Sequence, residues 1–179
     1  MASEDSIWIF GYASLIWKPN IEYLQKKRGK VRGYMRRFWQ ESTDHRGVPG
    51  APGRVATLVK SEGGEVWGYA FEISGNTKKK VFADLAVREK CGYELVGVSF
   101  YSESGEEIKA QCYMGTENNP EFLSYEEIQH TAEVITKSSG HSGTNREYLE
   151  KLVVAVKEVF PEENDEYLNA LSEMVREMV

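Results

Sequence analysis

Apolar residues along this chain follow two rhythms. In the first two thirds they alternate with polar residues or gather in short β-branched and aromatic runs, which predicts strands over 7–11, 31–41, 54–60, 66–73, 94–101 and 107–114. Short glycine-containing links, Ser61-Glu62-Gly63-Gly64 and Ser104-Gly105, read as hairpin loops. Between the hairpins, Asn76 stands where it can cap a helix bearing Val81, Phe82 and Leu85, ending before Gly92 with Glu89 in its last turn.

In the final third the period changes to helical. Ser124 with Glu127, and Thr144 with Glu147, have capping-box spacing. One apolar stripe runs Leu149, Leu152, Val153, Val156, Phe160; another follows Pro161 with Tyr167, Leu168, Leu171, Met174, Val175, Met178. No alternation of strand and helix suggests a parallel sheet. The expectation is one α+β domain over 1–179, with a mainly antiparallel, barrel-like sheet, flanking helices and a helical C-terminal third. Segments 44–53 and 138–143 read as ordered loops, the second a candidate lid.

Hydrophobic residues at 41% and charged residues at 28% describe a chain able to bury a core. A net charge of -6 argues against a general nucleic-acid binder. The basic run from Lys26 to Arg37 reads as a solvated strand face. Cys91 and Cys112 lie in neither CxxC nor metal-like spacing, so no disulfide framework or metal site is expected. The N-terminus is polar and no apolar run approaches membrane-spanning length, so a cytoplasmic protein without membrane contact is expected.

Several chemistries lack their residues. Gly11-Tyr12-Ala13-Ser14-Leu15 has Tyr12 and Ile16 where a nucleophile elbow needs glycines. No phosphate-binding glycine motif follows a strand, and His45, His130 and His141 form no sequence-local metal pair. A turn at the end of 7–11 could present amides to an anion, or simply cap a core strand.

Three blocks turn this pattern toward an activity. Phe10-Gly11-Tyr12-Ala13-Ser14-Leu15-Ile16-Trp17, the run from Arg36 to Gly47, and Pro52-Gly53-Arg54-Val55-Ala56-Thr57-Leu58 resemble segments of the ChaC-type gamma-glutamylcyclotransferases. Trp67-Gly68, Arg88-Glu89-Lys90-Cys91-Gly92-Tyr93, Tyr113-Met114-Gly115 and Asn119-Pro120 continue the likeness over nearly the whole chain. The resemblance implies a cofactor-independent lyase in glutathione degradation. The γ-glutamyl α-amine attacks its own γ-carbonyl, releasing 5-oxoproline and Cys-Gly from reduced glutathione. It implies Glu89 as the catalytic base and Ile9, Phe10, Gly11, Tyr12, Ala13 and Ser14 as substrate-binding positions. Arg46, Arg54 and Tyr113 are further candidate contacts, and a monomer is implied. Other γ-glutamyl amines or amino acids as substrate, or a non-catalytic γ-glutamyl-binding module, are the alternatives. Two departures stand out: Ala13 replaces a family glycine, which would be strained if that position needs positive φ, and Cys91 replaces another.

Overall fold

The computed structural model describes residues 5–88 and 92–179. Strands β1 (Ile7–Gly11), β2 (Gln25–Ser42), β3 (Gly53–Ile73), β4 (Glu94–Ser102) and β5 (Glu107–Met114) close into a barrel in the order β1-β3-β2-β4-β5. Neighbours are antiparallel except at the seam, where Ile9 faces Gln111 and β1 runs parallel to β5. A closed ring with an odd number of strands cannot alternate direction all the way round. The sheet is therefore mixed: antiparallel as expected except at this seam, which is parallel.

Alternation explains the strands. In β5, Ile108, Ala110, Cys112 and Met114 are buried while Glu107, Lys109 and Gln111 face outward. The expected hairpin at Ser61-Gly64 is absent. β3 instead pairs with β2 on both sides of that segment, and four residues oppose the single Gly33. Gly33 and Gly63 hold positive φ there, so the irregularity is absorbed as a bulge and the ladder resumes. A second irregularity lies between Arg37 and Gln40. There the Phe38 amide donates to the Tyr167 hydroxyl at 3.2 Å, and nearby the Ala56 amide donates to Tyr148 at 3.2 Å. Burial pushes the Tyr167 phenol up to about 12, so it stays protonated.

Both tyrosines come from helices laid against the barrel. After the single turn α1 (Ser14–Trp17) and α2 (Lys78–Arg88) come α3 (Ile128–Lys137), α4 (Asn145–Val159) and α5 (Glu166–Glu177). Between α3 and α4, β6 (Ser139–Gly140) and β7 (Gly143–Thr144) make a small hairpin. Thr144 caps α4 by accepting from the Glu147 amide, as its spacing predicts. The Ser124–Glu127 capping box does not form. Ser124 has φ of 61°, α3 opens at Ile128 without a side-chain cap, and the Glu127 carboxylate accepts from the Tyr125 hydroxyl instead.

Two apolar clusters result. The larger fills the barrel and the interface with α3, α4 and α5, including Phe10, Phe38, Phe100, Leu149, Phe160 and Leu171. The smaller lies outside the barrel wall, where Val81 and Leu85 of α2 meet Ile9, Leu15, Phe71 and Ile73. No helix among the described residues is long and apolar enough to cross a membrane. The basic face of β2 is largely matched by carboxylates: Lys27 with Glu106, Lys30 with Glu65, and Arg28 with Glu103 and Glu162.

Arg36 has no exposed side chain. Its guanidinium reaches Asp165 at 2.7 Å and Glu163 at 3.1 Å on the turn into α5, and donates to the carbonyls of Tyr12 at 3.0 Å and Trp67 at 3.1 Å. Burial disfavours its charge, but the two carboxylates outweigh that and raise its pKa. Arg36→Met should therefore leave buried carboxylate charge uncompensated and cost about 3–5 kcal/mol in urea unfolding. A loss below about 1 kcal/mol would show the network to be dispensable.

Candidate active site

The turn after β1 is built around close backbone approach. A Cβ on Gly68 would lie 2.2 Å from the Gly11 carbonyl, so only glycine lets β3 pass the loop at that point. Downstream, each carbonyl has a protein donor: Tyr12 O takes Arg36 Nε, Ala13 O takes the Ile16 amide at 2.9 Å, and Ser14 O takes the Lys18 amide at 2.8 Å. The amides of Ala13 and Ser14 find no acceptor among the described residues. Residues 10–15 line a cavity of about 30 Å³ with Ala56, Tyr93 and Tyr113.

Within the predicted binding set, roles divide. The side chains of Ile9 and Phe10 are core, one in each cluster. Their contribution to a ligand is limited to backbone. Tyr12 is buried and donates its hydroxyl to the Tyr113 carbonyl at 2.7 Å, which brings the ends of β1 and β5 together. Ala13 has φ of -138°, so the left-handed conformation that would penalise alanine does not arise.

Ser14 joins the small cavity to a larger one of about 370 Å³, as does Tyr93, whose hydroxyl donates to the Ala56 carbonyl at 2.7 Å. The Ser14 hydroxyl oxygen accepts from Arg88 Nη2 at 2.9 Å, and Arg88 Nη1 donates to the Pro19 carbonyl at 2.8 Å. A guanidinium cannot take the serine proton. That proton is oriented for donation, which fits an orienting group rather than a nucleophile.

His45 supports the same corner. Its Nε2 lies 2.9 Å from the Arg88 carbonyl and its Nδ1 lies 2.8 Å from Ser142 Oγ. A carbonyl can only accept, so Nε2 carries the proton, and in the neutral ring Nδ1 accepts from Ser142. Burial pushes the imidazole below its ordinary pKa, and His141 and Arg88 lower it further; the Arg88 carbonyl and Asp44 oppose the shift. Ser142 sits on the β6–β7 hairpin, held against the 44–53 loop by the Ser142 amide to the His45 carbonyl at 3.0 Å. A Cβ on Gly140 would lie 2.4 Å from the Asp44 carbonyl, so that contact is tight.

Asp44, His45 and His141 offer potential ligand atoms within 4.8 Å of one another. His141 Nε2 already meets Asp44 at 2.8 Å, and both His45 nitrogens are engaged. A metal would have to displace those bonds. The sequence reading anticipated neither this histidine pair nor Tyr93. His141 lies 96 residues beyond His45, so no local spacing could reveal it, whereas His45 and Tyr93 stood inside the family-like blocks.

The two predicted arginines separate. Arg54 is buried and makes a two-pronged ion pair with Glu126, both contacts at 2.9 Å, and it lines neither cavity. Arg46 lines the larger cavity, but its Nη1 is shared between Glu147 at 2.9 Å and the Thr144 carbonyl at 3.0 Å. Tyr113 lines the small cavity. Glu89 and Cys91 lie outside the described residues; Arg88, the residue before Glu89, and Tyr93, shortly after it, both line the large cavity.

The model of the ChaC-like protein family matches residues 7–178. This chain belongs to the ChaC-like family. It is 39% identical over 178 residues to the human protein named glutathione-specific gamma-glutamylcyclotransferase 1, covering 97% of this chain and 80% of that one. To the Schizosaccharomyces pombe glutathione-specific gamma-glutamylcyclotransferase it is 34% identical over 196 residues, covering 100% and 97%. A crystal structure of the yeast gamma-glutamyl cyclotransferase specific to glutathione superposes with a TM-score of 0.90 at 32% identity, covering 97% of each chain. The ChaC-like match spans every segment that meets at the two cavities.

The depressed His45 pKa carries a pH consequence. A neutral His45 contributes stability that is complete above the ordinary histidine value of about 6.5 and declines as pH falls through its lower folded value. Denaturation midpoints between pH 7.5 and 5.5 should fall more for the wild type than for His45→Gln, which keeps an N–H donor without titrating. Equal falls would show that His45 is not the group responsible.

Proposed function

We propose that this ChaC-like chain is a glutathione-specific gamma-glutamylcyclotransferase. The observation that carries the reading is near-complete alignment with relatives bearing that name, over the segments that line the two joined cavities. The γ-glutamyl group is assigned to the 10–15 loop, at the junction marked by Ser14 and Tyr93. There the Ala13 and Ser14 amides and the Ser14 hydroxyl would hold its carboxylate or the developing oxyanion. The Cys-Gly portion extends into the larger cavity.

The reaction needs no enzyme nucleophile. The substrate α-amine nitrogen attacks the γ-carbonyl carbon, the lactam bond forms, and the bond to the cysteine nitrogen breaks. Glu89 takes the amine proton and returns it to the leaving nitrogen, so protons balance across the step. A bond from Arg88 to Ser14 and one from His45 to the Arg88 carbonyl support this assignment, because they tie the end of α2 to the binding loop. Fixing amine and carbonyl in an attacking geometry supplies much of the acceleration.

In this reading the chain acts as a single-domain monomer in the cytoplasm, without cofactor, which its two scattered cysteines and unbroken family match support. Purified protein incubated with reduced glutathione should release 5-oxoproline and Cys-Gly in equal amounts. Glu89→Gln should lower kcat by roughly a hundredfold to ten-thousandfold. No 5-oxoproline from the wild type would overturn the activity, and equal turnover by the variant would overturn the assignment of Glu89.

A further inference from the structure

The larger cavity has to distinguish Cys-Gly from shorter leaving groups, and its cations are unequally available. Arg46 is shared between Glu147 and the Thr144 carbonyl, while Arg88 is directed to Ser14 and the Pro19 carbonyl. His45 is held neutral by burial, and His141 is paired with Asp44. Lys18 also lines this cavity, and among the described residues it has no carboxylate partner. It is exposed, so its ammonium is hydrated and ready to meet an anion.

We infer that Lys18 forms the subsite for the distal carboxylate of the substrate, the one carried by its terminal glycine. Length supports this as well as charge. Ser14 and Lys18 stand at opposite ends of α1, joined by the bond from the Lys18 amide to the Ser14 carbonyl. Four residues of α-helix rise about 6 Å. The Cys-Gly portion, two residues in extended form, spans at most about 7 Å. With the γ-carbonyl at Ser14, the glycine carboxylate therefore falls within reach of the flexible lysine stem. The single turn α1 acts as a ruler, its first residue at the γ-glutamyl end and its last neighbour at the carboxylate. A γ-glutamyl amino acid would place its own carboxylate about one residue short.

The inference rests on the cyclotransferase reading, and one experiment separates the two. Steady-state kinetics are measured with reduced glutathione and with its glycine carboxamide, which removes only the distal charge, for wild type, Lys18→Gln and Lys18→Arg. The wild type should favour glutathione through KM by roughly 1.5-fold to fivefold, the range for an exposed ion pair. Lys18→Gln should abolish that preference by raising KM for glutathione alone, and Lys18→Arg should retain it. An unchanged preference in Lys18→Gln overturns the subsite and leaves the activity standing. Failure of the wild type to form 5-oxoproline from either compound overturns both.

Discussion

A fully buried guanidinium holds this molecule in register. Arg36 sits on β2, yet its partners come from three other places: the loop after β1, the neighbouring strand β3, and the turn before α5. A buried charge is tolerable only when its partners are in place, so each of these pieces fixes the others. The bond to the Tyr12 carbonyl sets the orientation of the peptide that precedes Ala13 and Ser14. Packing of the C-terminal helices is thereby connected to the shape of the loop after β1 through the same side chain.

The site is an assembly of short pieces at one end of the barrel. The β1 loop contributes backbone and Ser14, the loop after β2 contributes His45, the end of α2 contributes Arg88, and the β6–β7 hairpin contributes Ser142 and His141. The Ser14 hydroxyl has a cation, Arg88, rather than a base beside it, and the imidazole that accepts from Ser142 is itself committed to the Arg88 carbonyl. What these pieces supply is position: a hydroxyl that accepts from Arg88, a helix end held by His45, and a loop whose carbonyls at Tyr12, Ala13 and Ser14 are committed. That provision suits a reaction in which the substrate brings its own nucleophile and the protein has to orient it.

Much of this was legible in the residues. Alternation gave β1, β4 and β5 nearly to the residue, and Thr144 marked the start of α4, because both signals are local. Ser61-Gly64 misled because a glycine pair marks a bulge as readily as a turn, and the choice depends on Gly33 in another strand. The parallel seam depends on closure of the ring and has no local signature. Within the site, the family-like blocks led to Ser14 and the loop. They did not reveal that Arg54 serves Glu126, or that His141 returns to His45, since both facts depend on pairings across more than 70 residues.

The central claim is that the γ-glutamyl bond is broken by an attack from within the substrate, oriented by the loop after β1. Reduced glutathione turned over in water enriched in a heavy oxygen isotope tests it directly by mass spectrometry of the products. Intramolecular attack predicts 5-oxoproline without the isotope, because no water enters the bond. Free glutamate carrying the isotope in its γ-carboxylate would contradict the account, since it would show that water had attacked in place of the amine.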